Sequence, residues 1–284
     1  MKLRSLLFVP GDRPERMAKA LGLGADALIL DLEDSVAAAA KPDARRAVAD
    51  FVSENATANL WVRINPLDGG EWEKDLDAVV GARPHGFVLP KAEGGASVDA
   101  LAERLTAMGN ATARILPIAT ETPAAMFQLG SYAGAKRLAG ITWGAEDLPA
   151  AIGAVTSREA DGSFTPPYQL ARSLTLFGAA AAGVAPIETV YPDFRDADGL
   201  AAYAGRARRD GFTGMMAIHP AQVPVINAAF TPSEAEVAHA RAVVDAFAAN
   251  PGAGALSLDG KMIDRPHLVQ AERILAAAGE SPAI

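Results

Sequence analysis

The chain contains no cysteine, which excludes disulfides, thiolate metal sites and cysteine nucleophiles together. Histidine is scarce: only His85, His219, His239 and His267 occur, and no pair has the spacing of a zinc site. Basic residues are outnumbered, 26 Lys and Arg against 34 Asp and Glu. The net charge of −8 argues against nucleic acid or an anionic membrane as the main partner. Long apolar runs are missing too. The first run, after Lys2 and Arg4, stops at Val9-Pro10-Gly11-Asp12, too short for a signal-peptide core. The most apolar later stretch, Leu176 to Ile187, falls short of a membrane span and contains Gly178, Gly183 and Pro186. A soluble, cytoplasmic protein is expected.

What the chain does have is apolar content: half of its 284 residues, enough for a large core. α/β barrels commonly fill this length as one domain. Eight short β-rich runs recur: Leu6–Val9, Ala27–Leu30, Leu60–Ile64, Gly86–Leu89, Ile115–Ala119, Leu138–Trp143, Pro186–Val190 and Gly214–Ile218. Each is continuous rather than alternating, as in strands buried on both faces of a parallel sheet. Amphipathic helical patterns lie between them, at Pro14–Leu21, Asp43–Phe51, Val98–Met108, Tyr168–Ala182 and Leu200–Arg209. The alternation predicts an α/β fold, a (β/α)8 TIM barrel over residues 1–230. An open doubly wound sheet is the rival, weakened because no glycine-rich dinucleotide fingerprint follows any run.

Residues 231–284 exceed what a barrel needs and are expected to form a C-terminal helical extension. Ser233 caps one helix, with Glu236 completing a capping box. A break at Asn250-Pro251-Gly252-Ala253-Gly254 follows, then Ala255–Asp264 and a last helix near Pro266–Ala278. Such an appendage either packs on its own barrel or reaches a neighbouring subunit.

In a barrel the C-terminal strand ends converge on one face, and that face carries the chemistry. Here the ends carry Asp12, then Asp31, Glu33 and Asp34, then Arg63 and Asn65, then Lys91 and Glu121. They continue with Glu146 and Asp147, Glu188 and Tyr191, and His219 and Gln222. Glu121 and Asp147 follow consecutive strands, close enough to share an ion. Mg²⁺ prefers hard oxygens and takes one or two carboxylates, so this pair is a candidate magnesium site; strand-end caps or salt bridges are the alternative. Arg63 offers a planar fork to a substrate carboxylate, or else an internal ion pair with Asp31 or Glu33. Lys91 either holds charge in the barrel mouth or bridges to an acidic neighbour. His219 reads as a hydrogen-bonded strand-end residue, and the other three histidines as surface residues.

Several segments, in order, carry a resemblance. They are Ser5-Leu6-Leu7-Phe8-Val9-Pro10-Gly11, Asp31-Leu32-Glu33-Asp34-Ser35-Val36, Val62-Arg63-Ile64-Asn65 and Leu89-Pro90-Lys91. Glu121-Thr122-Pro123, Gly144-Ala145-Glu146-Asp147-Leu148, Ile218-His219-Pro220 and Asp259-Gly260-Lys261-Met262-Ile263-Asp264-Arg265-Pro266 follow. Over essentially the whole chain the set resembles the citrate lyase beta-subunit-like branch of the HpcH/HpaI aldolase superfamily. The resemblance implies a homotrimer or dimer of trimers and Mg²⁺ bound by Glu121 and Asp147. It implies that Arg63 clamps the carboxylate of the oxo-acid fragment; substrate contacts are also expected from Glu121, Asp31, Glu33 and Lys91. It further implies cleavage of citryl, malyl or citramalyl thioesters of coenzyme A or acyl carrier protein into an oxo acid and an acyl thioester. Some members hydrolyse the thioester instead, and a non-catalytic ligand-binding subunit is the reading from another class. Asp264, with Arg63 the second expected catalytic residue, matches an aspartate that enters a neighbouring subunit's site; an N-cap before Pro266 is its other reading. Two departures stand out: Pro186-Ile187-Glu188 where aspartate is common, and Met215-Met216 where a basic residue often precedes His-Pro.

Overall fold

Each of the eight apolar runs becomes a strand in the computed structural model, which describes residues 2–280. They are β1 (Ser5–Pro10), β2 (Ala27–Asp31), β3 (Leu60–Arg63), β4 (Gly86–Leu89), β5 (Arg114–Pro117), β6 (Gly140–Thr142), β7 (Ala185–Glu188) and β8 (Gly214–Ala217). All pair in parallel, in the order β5-β4-β3-β2-β1-β8-β7-β6. The two ends of that order also meet. Bridges Ile115–Leu138 and Ile118–Thr142 join β5 to β6, and Ala119 N–H donates to the Thr142 carbonyl at 2.9 Å. The sheet therefore closes on itself as a TIM barrel, leaving no exposed edge.

Helices follow the strands: α1 (Pro14–Ala20), α2 (Lys41–Glu54), α3 (Glu71–Val79), α4 (Gly95–Ala107), α5 (Pro123–Met126), α6 (Asp147–Ile152), α7 (Pro166–Ala182), α8 (Ala197–Asp210) and α9 (Gln222–Ala229). Local chemistry sets their ends. Asp196 accepts from Gly199 N–H at 2.8 Å to start α8, and Thr122 accepts from Ala125 N–H at 3.2 Å to start α5. Leu6, Ile29, Trp61, Val88, Leu116, Ile187 and Met216 come from seven strands and form one buried cluster. The intervening Leu7, Leu28 and Leu30 are buried as well, which is why the runs are apolar without alternation. Burying each such side chain contributes about 1.5–3 kcal/mol.

The chain divides into two compact units, Leu3–Asn227 and one that begins at Ala228. The second unit contains α10 (Glu234–Ala249), β9 (Ala255–Leu258), β10 (Lys261–Asp264) and α11 (Arg265–Ala278). The expected capping box is present: Ser233 N–H donates to Glu236 Oε2 at 2.7 Å, and Glu236 N–H donates to Ser233 Oγ at 3.3 Å. Val243, Val244, Phe247, Ile263 and Leu275 give this unit its own core. It is not purely helical. Residues 255–264 form an antiparallel hairpin because Asp259 (φ 51°) and Gly260 (φ 74°) both adopt the left-handed region a two-residue turn demands. Among the described residues no helix is long and apolar enough to cross a membrane.

Candidate active site

Arg63 and Asp31 end adjacent strands as register partners. That register sets the guanidinium beside the carboxylate: Arg63 Nε donates to Asp31 Oδ1 at 2.6 Å and Nη2 to Oδ2 at 2.7 Å. Glu33 Oε2 lies 2.7 Å from Nη1 without forming a well-directed hydrogen bond, and the Phe8 ring lies below the guanidinium, 4.9 Å from Cζ. Burial alone would raise the Asp31 carboxyl, but the Arg63 bonds and charge outweigh it and hold that carboxyl below its ordinary range. Burial also disfavours the Arg63 charge, yet Asp31 and Glu33 more than compensate, so the guanidinium stays firmly charged. The internal ion pair expected of Arg63 is present. Arg63 is anchored by acidic neighbours and still lines a cavity.

Glu121 follows β5, and Gly144 follows β6 across the barrel seam. Thr120 Oγ1 donates to the Gly144 carbonyl and accepts from Gly144 N–H, each at 3.1 Å, clamping the two strand ends together. A Cβ on Gly144 would stand 2.6 Å from Glu121 Cγ, so only glycine permits this approach. Glu121 is buried and accepts from Lys91 N–H at 2.6 Å. Burial pushes its carboxyl up to about 8; the Lys91 N–H opposes this, and the charges of Asp147 and Glu33 push further upward. Asp147 opens α6 and is half-buried, with Oδ1 3.5 Å from Lys91 Nζ. Lys91 Nζ also donates to Glu33 Oε1 at 3.0 Å. Burial disfavours its charge, but Glu33 and then Asp147 and Glu121 overcome that and raise it.

Asp31, Arg63, Glu121 and Asp147 thus line one cavity of about 430 Å³. Phe8, Trp143 and Met216 supply much of its apolar wall. Glu33 and Lys91, expected to touch substrate, are not among the lining residues and instead brace Arg63 and Asp147 from behind. Asp34 and Glu146 do line it. Asn65 is occupied structurally by Lys41 and Asp75, and Gln222 ties the Tyr191 carbonyl to the turn at Ile218 and His219. His219 Nδ1 accepts from Ala221 N–H at 3.2 Å and its ring stacks on Phe194, as a strand-end residue would. Glu188, the first departure, is fully buried outside the cavity; Met216, of the second, is in its wall. Asp264 belongs to the second unit, where it precedes α11 and its Oδ1 lies 2.5 Å from His267 Nδ1. His267 is exposed, as expected, and pairs with Asp264. Phe8, Thr142 and Trp143 escaped the sequence reading because an aromatic or threonine in a strand looks like ordinary core.

Among the described residues no trio of His, Asp or Glu is gathered to ligate a metal. The pair Glu121 and Asp147 nevertheless suits a small hard cation. Both donors are carboxylate oxygens, both face one cavity, and Glu121 carries a burial cost on its charge that a cation would relieve. Two protein carboxylates leave the other coordination positions for water and substrate.

The chain is similar to known proteins along nearly its whole length. Residues 4–220 match the family HpcH/HpaI aldolase/citrate lyase. The citrate lyase subunit beta-like protein of Mycobacterium tuberculosis is 40% identical over 275 residues, covering 97% of this chain and 95% of that protein. A (3S)-malyl-CoA thioesterase of Cereibacter sphaeroides is 35% identical, with 97% and 94% covered. The mitochondrial citramalyl-CoA lyase of Rattus norvegicus is 32% identical, with 97% and 86% covered. The crystal structure of CitE from M. tuberculosis, in complex with magnesium, acetoacetate and coenzyme A, superposes with a TM-score of 0.82 at 38% identity over 98% of both chains. The chain belongs to the HpcH/HpaI aldolase/citrate lyase family, in its citrate lyase beta-subunit-like branch.

Proposed function

We propose that this chain is a Mg²⁺-dependent carbon–carbon lyase. Its substrate is a 3-hydroxyacyl thioester of citryl, malyl or citramalyl type, on coenzyme A or acyl carrier protein. The observation that carries the reading is the shared cavity, with a guanidinium on one wall and two carboxylates, one of them buried, on another. The magnesium, acetoacetate and coenzyme A held by the M. tuberculosis relative agree with that polarity.

Arg63, held on one edge by Asp31, offers its remaining donors to the carboxylate of the oxo-acid half. Glu33 and Lys91 keep the surrounding charges fixed, so little reorganisation accompanies the reaction. Glu121 and Asp147 would hold Mg²⁺, which when bound would supply Lewis acidity to the oxo-acid half. The hydroxyl gives its proton to solvent and becomes the new carbonyl, and the electrons of the broken carbon–carbon bond pass to the thioester's α-carbon. Asp264, delivered from a neighbouring subunit of a trimer or dimer of trimers, returns a proton to that carbon. The barrel face thus binds and orients, while the extension completes the proton transfer.

The thioesterase relative supports a second reading, hydrolysis on the same site. Malyl-, citramalyl- and citryl-CoA incubated with the protein and Mg²⁺ separate the two. A free oxo acid plus an acyl-CoA marks cleavage; an intact hydroxydiacid plus free coenzyme A marks hydrolysis. Neither product set from any of the three thioesters overturns both.

A further inference from the structure

Glu188 closes β7 with no solvent exposure, yet it contributes nothing to the cavity wall. All its bonding is internal. Oε1 accepts from Trp143 Nε1 at 2.5 Å, from Tyr203 O–H at 2.9 Å and from Thr189 N–H at 2.9 Å. Oε2 accepts from Arg172 Nε at 2.6 Å, and Arg172 is held in turn by Asp210 at 2.9 Å. These four donors divide by location. Trp143 and Thr189 line the reaction cavity; Arg172 and Tyr203 line a separate open groove of about 1020 Å³. Glu188 is a strut between the two.

The Trp143 indole has little other freedom. It is buried, and the Phe164 ring meets it edge-on at 5.1 Å. Its backbone runs directly into Gly144, which abuts Glu121, and then into Asp147. A shift of the indole therefore moves the turn that spaces the two carboxylates. We propose that Glu188 is a positioning residue: by fixing Trp143 it sets Glu121 and Asp147 at the spacing a divalent cation and an oxo acid require. This rests on the magnesium-site reading above.

The bonding makes a specific demand on the side chain. A glutamine has one acceptor oxygen and one donor nitrogen. If its oxygen serves Trp143, its nitrogen faces Arg172 Nε–H; if flipped, it faces the donors of Trp143, Tyr203 and Thr189. Either way a donor–donor conflict arises in a dry site, where an unmade bond is costly.

The test uses the full-length protein. Trp143→Phe identifies the Trp143 indole N–H resonance in the ¹H–¹⁵N spectrum. That resonance is then followed in wild type, Glu188→Gln and Tyr203→Phe, alone and with Mg²⁺ or pyruvate added. Tyr203→Phe removes one donor and leaves the charge pair intact, so it serves if Glu188→Gln does not fold. The resonance should move in both variants without any ligand. Mg²⁺ affinity and kcat should fall about tenfold in Glu188→Gln, with KM for the thioester changed less, as when a supporting shell is removed. In Mg²⁺ affinity, Glu188→Gln combined with Trp143→Phe should cost no more than the worse single change, because Glu188 acts on the cation site through Trp143. Additive losses, or a resonance that moves while Mg²⁺ affinity, pyruvate affinity and kcat stay at wild-type values, overturn the proposal. A wild-type protein that binds no Mg²⁺ sinks the magnesium reading instead, and the pyruvate titration then decides the role of Glu188.

Discussion

Arg63 and Asp31 are register partners on neighbouring parallel strands, and their side chains meet through two parallel hydrogen bonds of 2.6 and 2.7 Å. The pairing uses Nε and one donor of Nη2, while Nη1 sits 2.7 Å from Glu33 Oε2. It also fixes the plane of the fork, which an ammonium has no means to reproduce. Arg63→Lys should therefore lower kcat/KM by roughly a hundredfold or more, despite keeping the charge. Asp31→Asn, which frees the guanidinium without removing it, should cost roughly tenfold. Steady-state kinetics on the thioester that wild type turns over best decide the matter. Near-normal rates for the lysine variant would rule out the clamp.

Gly144 and Glu121 make a second pair. With a Cβ 2.6 Å from Glu121 Cγ and 3.0 Å from Oε1, Gly144→Ala must displace the carboxylate or the turn. Its overpacking cost is about 1–3 kcal/mol, which a domain of this size tolerates. Calorimetry should show Mg²⁺ binding weakened by roughly tenfold or more, with the protein still folded. Glu121→Gln and Asp147→Asn should abolish Mg²⁺-dependent turnover outright. Full activity of wild type in excess chelator, or wild-type Mg²⁺ affinity in the alanine variant, would remove the basis for this site.

The strands were legible in the sequence because short, β-rich apolar runs bounded by turn residues suit a doubly buried strand better than a helix, and all eight runs formed one. Arg63, Glu121 and Asp147 were legible because charged groups immediately after such runs have few places to go except the barrel mouth. Glu188 looked the same by that criterion and is not the same. Side chains alternate along a strand, so Thr189 reaches the cavity wall and Glu188 turns away into a buried pocket of donors. A one-residue difference in facing is invisible when the run has no polar–apolar alternation to mark it. Trp143 was missed for the converse reason: its indole N–H finds a partner inside, so nothing in its neighbours marks it as cavity wall. The hairpin at 255–264 carried a signal, Asp259-Gly260 between alternating residues, that the expectation of helices obscured.

Glu121 also makes stability depend on pH. Its carboxyl has an ordinary value of 4.5 and is pushed up to about 8 in the folded chain, by burial first. Between those values the folded state holds a proton that the unfolded state has lost. Stability is therefore greatest below that window and falls as pH rises through it, by up to about 1.4 kcal/mol per pH unit. Metal-free protein should lose thermal stability from pH 6 to pH 8.5, and Glu121→Gln should lose less over the same range. Mg²⁺ bound at the proposed site would have to displace that proton, so its affinity should increase over the same interval. A melting-temperature difference between wild type and Glu121→Gln that stays constant with pH would contradict this account.

Asp264 poses the sharpest test, because the proposed mechanism needs it to act on another subunit's barrel. It belongs to a unit with its own core, follows the Asp259-Gly260 turn, and has its Oδ1 2.5 Å from His267 Nδ1. Delivered by a neighbouring subunit as proposed, it would serve proton transfer without competing for the metal. Asp264→Ala should abolish cleavage while Mg²⁺ and pyruvate still bind, and Arg63→Ala should be inactive for the opposite reason. Neither protein alone contains a chain with both residues. If each site combines Arg63 of one subunit with Asp264 of the next, random mixing of the two by unfolding and refolding together gives roughly a quarter of sites both residues. Partial activity should then return in the mixture and stay absent from either protein refolded alone. A mixture that remains inactive, although mass spectrometry shows mixed oligomers, would mean that Asp264 works on its own barrel or has no part in the chemistry.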